Sequence, residues 1–169
     1  RVHDKPDEKK LTNFFQFLSA RGYVVNGKRK NITSRDLQNV LKQLVDKPDS
    51  KILNDLAIRS QAKAVYSNEN IGHFGLGSKC YSHFTSPIRR FPDLTIHRLL
   101  KIFNKDYSMS NLDNLESELN EICIHSSYKE RQADDAEKDY LKLKMAKYME
   151  DYIDEVFEGT LVDIDHELI

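Results

Sequence analysis

The stretch from Asp93 to Glu158 contains neither glycine nor proline, and this constrains the fold more than any other feature of the chain. Glycine and proline are the residues that most often end helices, so their absence favours long helices over short strands joined by turns. We predict one helix that Ser110 caps and a second that covers residues 128–152. The inward face of the second helix is predicted to carry Ala133, Ala136, Tyr140, Leu143 and Tyr148.

Three shorter helices are predicted before residue 66, because apolar residues recur there at spacings of three and four. The first covers residues 7–21, with Asp7 as its N-cap and Gly22 directly after its end. The third carries a set of apolar residues on one face: Ile52, Leu53, Leu56, Ala57 and Ala64.

The second of these helices is predicted to be capped by Thr33 or Ser34. We expect it to end at Lys47, because the residue before a proline, here Pro48, is disfavoured in the helical region. Its apolar face consists of five residues: Leu37, Val40, Leu41, Leu44 and Val45.

The composition of the sequence changes between Tyr66 and Phe91, where glycines and aromatic residues are concentrated. We predict short strands around residues 73–76 and 79–84, joined by a glycine turn, and then an irregular turn over 85–90. Pro92 suits the first turn of a following helix, where its missing N–H costs nothing. With a strand-like segment at 156–164, the chain is predicted to be α+β and predominantly helical.

The net charge of −1 conceals an uneven distribution. Residues 1–70 carry +6, residues 71–105 carry +5 and residues 106–169 carry −12. The middle segment is therefore a candidate anion-binding centre, although an acidic helical layer packed on a basic one would explain the same pattern.

Several protein classes are excluded by composition. No apolar run is long enough to span a membrane. The two cysteines lie far apart and favour neither a disulfide scaffold nor a structural zinc site, so a reducing cytoplasm is expected. The chain opens Arg-Val-His-Asp, and we expect it to be a piece of a longer protein.

Groups suited to a polyanion concentrate between Tyr81 and Asp93. The guanidinium groups of Arg89 and Arg90 match phosphate oxygens, and the hydroxyls of Thr85 and Ser86 are further donors. Aromatic faces for base stacking come from Tyr81, His83 and Phe84. Taken singly, each of these residues has a structural explanation, such as Arg89 or Arg90 pairing with Asp93.

The run Y-x-H-F-T-S-P-I-R-R-F-P-D-L at residues 81–94 closely resembles the signature of the ribonuclease R and ribonuclease II exoribonucleases, in their RNB catalytic domain. Flanking segments resemble the same family in the same order, at residues 1–6, 72–76, 130–139 and 156–164. The resemblance implies that residues 1–154 are the C-terminal part of an RNB domain. It also implies that residues 155–169 begin an OB-type RNA-binding domain with its first strand.

The resemblance further implies processive hydrolysis of single-stranded RNA from its 3′ end to nucleoside 5′-monophosphates, by a cytoplasmic monomer. Mg²⁺ would be held by aspartates that precede Arg1 in the family, so no metal ligand is expected in this chain and the chain alone should be inactive. Arg89 matches the catalytic arginine, and Glu137 matches a carboxylate of the RNA channel in part of the family. The RNA-binding residues implied are Tyr81, His83, Thr85, Ser86, Arg89 and Arg90.

Four alternatives stand beside this interpretation. The chain could be a non-catalytic RNA-binding scaffold of the same fold, or a sequence-specific DNA-binding module, although its second helix does not present the side chains that such a module uses. Asp93 and His97, four residues apart, could contribute to a metal site, but a structural contact is favoured because no third ligand has matching spacing. Cys80 could be a thiol nucleophile, but a cysteine in a strand is more often a small buried residue.

Overall fold

The computed structural model describes residues 1–23, 32–104 and 112–159. It contains two compact units, residues 1–128 and residues 129–169. In chain order the helices are α1 (Glu8–Ala20), α2 (Ser34–Lys42), α3 (Ser50–Ser60), α4 (Phe91–Phe103) and α5 (Leu112–Met149), with two short 3₁₀ helices at Phe74–Leu76 and Glu150–Tyr152. The predominantly helical character predicted from the sequence is confirmed.

Local signals set both ends of α1. The Asp7 carboxylate accepts the Lys10 amide at 3.0 Å and caps the start. Gly22 adopts φ +81, a left-handed conformation that ends a helix at little cost to glycine. The amides of Gly22 and Tyr23 then bond back to the carbonyls of Ser19 and Leu18, so the helix ends in a Schellman motif.

Helix α2 begins as predicted but ends early. Thr33 caps it in a reciprocal capping box with Asp36. The helix stops at Lys42 rather than at Lys47, and the chain continues through turns to α3. Because helical spacing no longer applies there, Leu44 turns into the core while Val45 is 64% exposed, which corrects the predicted apolar face.

The core of the first unit lies among α1, α2 and α3. Its largest fully buried side chains are Leu18, Leu44 and Leu53. The rest of the cluster consists of Leu11, Phe14, Phe15, Leu37, Val40 and Ala57. Ala64 lies beyond the end of α3, so its predicted place on that helix is wrong.

Residues 61–90 form loops held by isolated bridges. Val2 pairs with Val65, His3 with His73, and His73 with Ser78. In the described parts of the chain the strands predicted at 73–76 and 79–84 are not formed. Residues 74–76 make a 3₁₀ turn instead, and Gly77 at φ +62 reverses the chain before a ladder can extend.

Helix α4 follows the irregular turn with Pro92 in its first turn, as predicted. Helix α5 then runs for 38 residues without a break, where two helices were predicted. Since neither glycine nor proline interrupts this stretch, its hydrogen-bonding pattern has no reason to stop near residue 128. Ser127 on α5 accepts the Tyr66 amide at 2.9 Å and so fastens the helix to the loop segment.

The five residues predicted to face inward on the second half of α5 are all exposed in the described structure, which corrects that prediction: Ala133, Ala136, Tyr140, Leu143 and Tyr148. Residues 155–159 have no regular secondary structure. The rest of the predicted strand at 156–164 lies outside the described residues, as does Ser110. Within the described residues, no helix has both the length and the apolar content that a membrane crossing requires.

Candidate nucleic-acid interface

A tight turn carries Arg89 and Arg90 into the start of α4. The Ser86 carbonyl accepts the amides of Arg89 at 3.3 Å and of Arg90 at 2.9 Å. On the other side of the turn, Oδ2 of Asp93 accepts the Ser86 amide and Arg90 Nη2, both at 2.8 Å. One buried carboxylate therefore fastens both ends of the turn.

The Asp93 side chain is fully buried, and its charge is compensated locally. Burial by itself raises the pKa of the Asp93 carboxyl, but the Ser86 amide and the Arg90 guanidinium outweigh it and hold the pKa below its ordinary value of 3.8. Among the described residues, Asp93 Oδ1 and Arg90 Nε are buried without hydrogen-bond partners. Asp93 is thus a charged anchor inside the protein.

The two adjacent arginines have different surroundings. Arg90 is only 22% exposed and gives one arm of its guanidinium to Asp93, which is one of the structural pairings considered from the sequence. Arg89 is exposed, and its side chain has no ion pair or hydrogen bond within the described residues. Arg89 is therefore the cation of this turn whose whole guanidinium fork is available to a bound phosphate.

Phe84, directly before the turn, is held by His97 of α4. His97 Nε2 donates to the Phe84 carbonyl at 2.8 Å, and the two rings lie 4.4 Å apart between centroids. With Asp93 engaged by Ser86 and Arg90, the suggested Asp93–His97 metal pair is not assembled. The described residues also hold no group of three histidine, cysteine or acidic side chains suited to a metal ion.

Four aromatic rings continue from the turn into the loop region. Tyr81 lies edge-on between His73 and His83, with centroid distances of 5.2 and 5.9 Å. His83 Nδ1 also shares a 2.9 Å hydrogen bond with the Tyr66 hydroxyl. Tyr81 is 42% exposed and Phe84 is 46% exposed, so both keep a face open to a base.

The remaining predicted residues have these positions. Thr85 is exposed beside the turn, while Ser86 is half-buried and contributes its backbone to the turn. Glu137 is exposed on α5 in the second unit. Cys80 is also exposed and contacts Asn70 Nδ2 at 3.2 Å, so it is not the buried strand cysteine expected from the sequence.

The sequence suggests the pairing of Asp93 with an adjacent arginine, but sequence reasoning missed two bonds. These are the bond from the Ser86 amide to Asp93 and the bond from His97 to the Phe84 carbonyl. The usable signal for Asp93 is its place in the first turn of a helix, where a carboxylate can bond back to a preceding amide. No comparable signal marks His97, because its partner is a backbone carbonyl brought close by the tertiary fold.

Three comparisons bear on the family of this chain. A family model described as the RNB domain matches residues 1–106. Ribonuclease R 1 of Lactococcus lactis is 38% identical over 165 residues, which cover 97% of this chain and 20% of that protein. The chain therefore spans about a fifth of the length of that curated relative.

Solved structures agree with the family model. The structure of Mycoplasma genitalium RNase R in complex with ribose methylated single-stranded RNA matches with a TM-score of 0.89 at 30% identity, over 98% of this chain and 26% of that one. Yeast Ssd1, described as a pseudonuclease, matches with a TM-score of 0.59 at 22% identity, over 75% of this chain and 16% of that one, and shows similarity of fold alone. Because the RNB model matches more than half of the residues, this chain belongs to the RNB-domain family.

Proposed function

We propose that this chain is part of a 3′-to-5′ exoribonuclease that hydrolyses single-stranded RNA processively to nucleoside 5′-monophosphates. The observation that carries the proposal is Arg89, an exposed guanidinium without a partner among the described residues, on a turn fastened by buried Asp93. The names of the relatives, Ribonuclease R, support the activity, and the RNA in the Mycoplasma genitalium complex supports the substrate class.

Arg89 would contact the scissile phosphate through its planar fork of donors. A fixed donor that meets charge as it develops in the transition state lowers the barrier more than it strengthens ground-state binding. The fastened turn supports this role, since the Arg89 amide bonds to the Ser86 carbonyl and the carbonyl of the next residue, Arg90, accepts the first amides of α4. Glu137 would contribute a carboxylate to the RNA channel, as the family resemblance implies.

The other predicted RNA contacts divide by their surroundings. Tyr81 offers an exposed face for base stacking, and exposed Thr85 offers a hydroxyl donor. His83, Ser86 and Arg90 are partly engaged within the protein. We propose that these three residues fix the shape of the RNA-binding surface and that their remaining hydrogen-bond donors are available to RNA.

The activity also implies Mg²⁺, and the residues described here do not fit such an ion. No cluster of three carboxylate, histidine or cysteine side chains is present among them. We propose that the ligands belong to a segment of the complete protein that precedes this chain. A bound divalent ion would lower the pKa of an attacking water.

We also propose the domain division implied by the resemblance. Residues 1–154 would be the C-terminal part of the RNB domain, and residues 155–169 would begin an OB-type RNA-binding domain. The complete protein would act as a cytoplasmic monomer on the 3′ end of single-stranded RNA.

The principal alternative is a non-catalytic RNA-binding scaffold of the same fold. It deserves a test because a fold does not establish a reaction, and one structural neighbour is described as a pseudonuclease. The experiment incubates the complete protein with Mg²⁺ and a single-stranded RNA labelled at its 5′ end. An exoribonuclease yields progressive 3′ shortening and nucleoside monophosphates, and it leaves a circular RNA of the same sequence intact.

Binding of the linear RNA without shortening would support the scaffold instead. Cleavage of the circle would contradict exonucleolytic action. The 169-residue chain alone serves as a second sample, for which we expect no shortening above a control without protein. Shortening by this sample would contradict the proposed location of the metal ligands.

A further inference from the structure

Resting on the proposed function, we propose that His3 is a positioning residue for RNA binding, which acts by holding the loop that supports the Tyr81 ring. His3 is distant in sequence from the signature segment. His3 is 8% exposed and lies in the first unit, together with the loop that it holds.

Four hydrogen bonds fix His3 in place. Its backbone N–H donates to the Gly72 carbonyl at 3.0 Å, and its carbonyl accepts the Phe74 amide at 2.8 Å. The imidazole Nδ1 accepts the Gly75 amide at 2.8 Å, and Nε2 lies 2.7 Å from the Ala62 carbonyl. His3 therefore holds residues 72–75 from both backbone and side chain.

The two side-chain partners also assign the tautomer of the ring. An amide N–H can only donate, so Nδ1 must be the unprotonated nitrogen that accepts. A carbonyl oxygen can only accept, so Nε2 carries the proton. The Nε2–H tautomer therefore satisfies both bonds.

Gly75 fits only because it lacks a side chain. A Cβ placed on it would lie 2.7 Å from His3 Nδ1 and 3.0 Å from Cε1, closer than carbon atoms pack against a ring. The ring occupies that space and cannot shift without losing the Ala62 bond. His3 and Gly75 are thus matched in shape as well as in hydrogen bonding.

The loop held by His3 supports Tyr81 through His73. The rings of His3 and His73 meet edge-on at 5.0 Å, and His73 meets Tyr81 edge-on at 5.2 Å. Burial lowers the pKa of His73 below its ordinary value of 6.5, which favours a neutral ring. The neutral His73 ring therefore acts as a packing surface that sets the angle of Tyr81.

The test measures RNA affinity and chemistry separately in the complete protein. Affinity for single-stranded RNA is measured with the divalent ion chelated, and the single-turnover rate is measured at saturating RNA. Removal of an aromatic–base stack weakens binding by about 5- to 150-fold, so misalignment of Tyr81 should cost somewhat less, about three- to tenfold. We expect His3→Ala and Gly75→Ala to raise Kd by this factor and to leave the saturating rate within about twofold.

Two comparisons separate positioning from a general loss of structure. In a Tyr81→Ala background, neither substitution should weaken binding further, because the ring that His3 positions is gone. His3→Asn keeps an acceptor near Gly75 and should recover part of the loss. Leu53→Ala, in the three-helix core, is the destabilising control and should leave Kd unchanged.

The proposal is overturned if the His3 and Tyr81 effects add, if Leu53→Ala raises Kd as much, or if the saturating rate falls with affinity unchanged. Should His3→Ala fail to fold, Gly75→Ala and His3→Asn provide the same comparison. An unsubstituted protein that neither binds nor shortens RNA contradicts the proposed function itself. Failure of the variants alone contradicts only the role of His3.

Discussion

Asp93 reaches back seven residues to the amide of Ser86, and the same carboxylate oxygen, Oδ2, also receives Arg90 Nη2, each at 2.8 Å. The fully buried carboxylate therefore closes the turn from which Arg89 projects. Arg90 pairs with the buried Asp93, while the adjacent Arg89 stays exposed.

We expect Asp93→Ala to loosen this turn, because it leaves the Arg90 charge and the Ser86 amide without their acceptor. Removing one member of a buried ion pair costs about 3–5 kcal/mol. Hydrogen exchange of the peptide covering residues 84–96 measures the local opening free energy in the complete protein. The control is Asp135→Ala, which removes an exposed ion pair with Lys138. It should leave the hydrogen exchange of residues 84–96 unchanged. Unchanged protection in Asp93→Ala would show that the turn does not depend on this carboxylate.

The low pKa of Asp93 predicts a contribution to acid stability. The folded-state pKa lies below the ordinary value of 3.8, so the unfolded chain binds the proton more readily in this range. The stabilisation is fully present above that value and is lost as the pH falls through the folded-state pKa. Thermal unfolding of the complete protein at stepped acidic pH should therefore show a gap between the unsubstituted protein and Asp93→Asn that narrows as the pH falls. A gap independent of pH would contradict the assignment.

We expect Arg89→Lys to reduce turnover far more than RNA affinity. Lysine keeps the charge but loses the planar fork, and losing one donor to a developing charge costs about 10²–10³ in rate. Single-turnover rates and dissociation constants of the complete protein measure the two effects. Arg98→Lys, an exposed residue beside the Phe91 ring, is the control and should change neither. Weaker affinity with intact turnover would make Arg89 a binding residue.

Salt dependence distinguishes a phosphate contact from an indirect effect. Each phosphate neutralised in a single strand contributes about −0.7 to the slope of log affinity against log salt. We expect Arg89→Gln to make the slope shallower by about this amount. Arg59→Gln, an exposed arginine on α3, should leave the slope unchanged. An unaltered slope for Arg89→Gln would place the phosphate contact elsewhere.

Elements with local signals were predictable from the sequence. Asp7 and Gly22 set the ends of α1, and Thr33 caps α2, because each acts on amides or carbonyls a few residues away. The strands predicted near His73 were wrong. The apolar and aromatic pattern predicts extended pairing, but in the structure the pairing within this segment is the isolated His73–Ser78 bridge, and residues 72 and 74 bond to His3 at the start of the chain.

Prediction of the site was also limited, because the roles of its residues depend on tertiary contacts. The sequence identified the segment with Tyr81, Arg89 and Arg90 but could not rank two adjacent arginines. Their difference arises only when Asp93 is buried against one of them, and an acidic residue is ordinarily expected at the surface. His3 carried no signal of its role, since its four partners are all backbone groups supplied by loops distant in sequence.

The exposed side of α5 and the residues after it have a practical consequence for sample preparation. Met145 is 67% exposed, Ile153 72% and Val156 98%, and several tyrosines lie among them. Exposed apolar side chains in such numbers promote self-association in solution. A sample limited to these 169 residues should therefore be checked for concentration-dependent light scattering before any binding curve is interpreted, and detergent or dilution should reverse the effect.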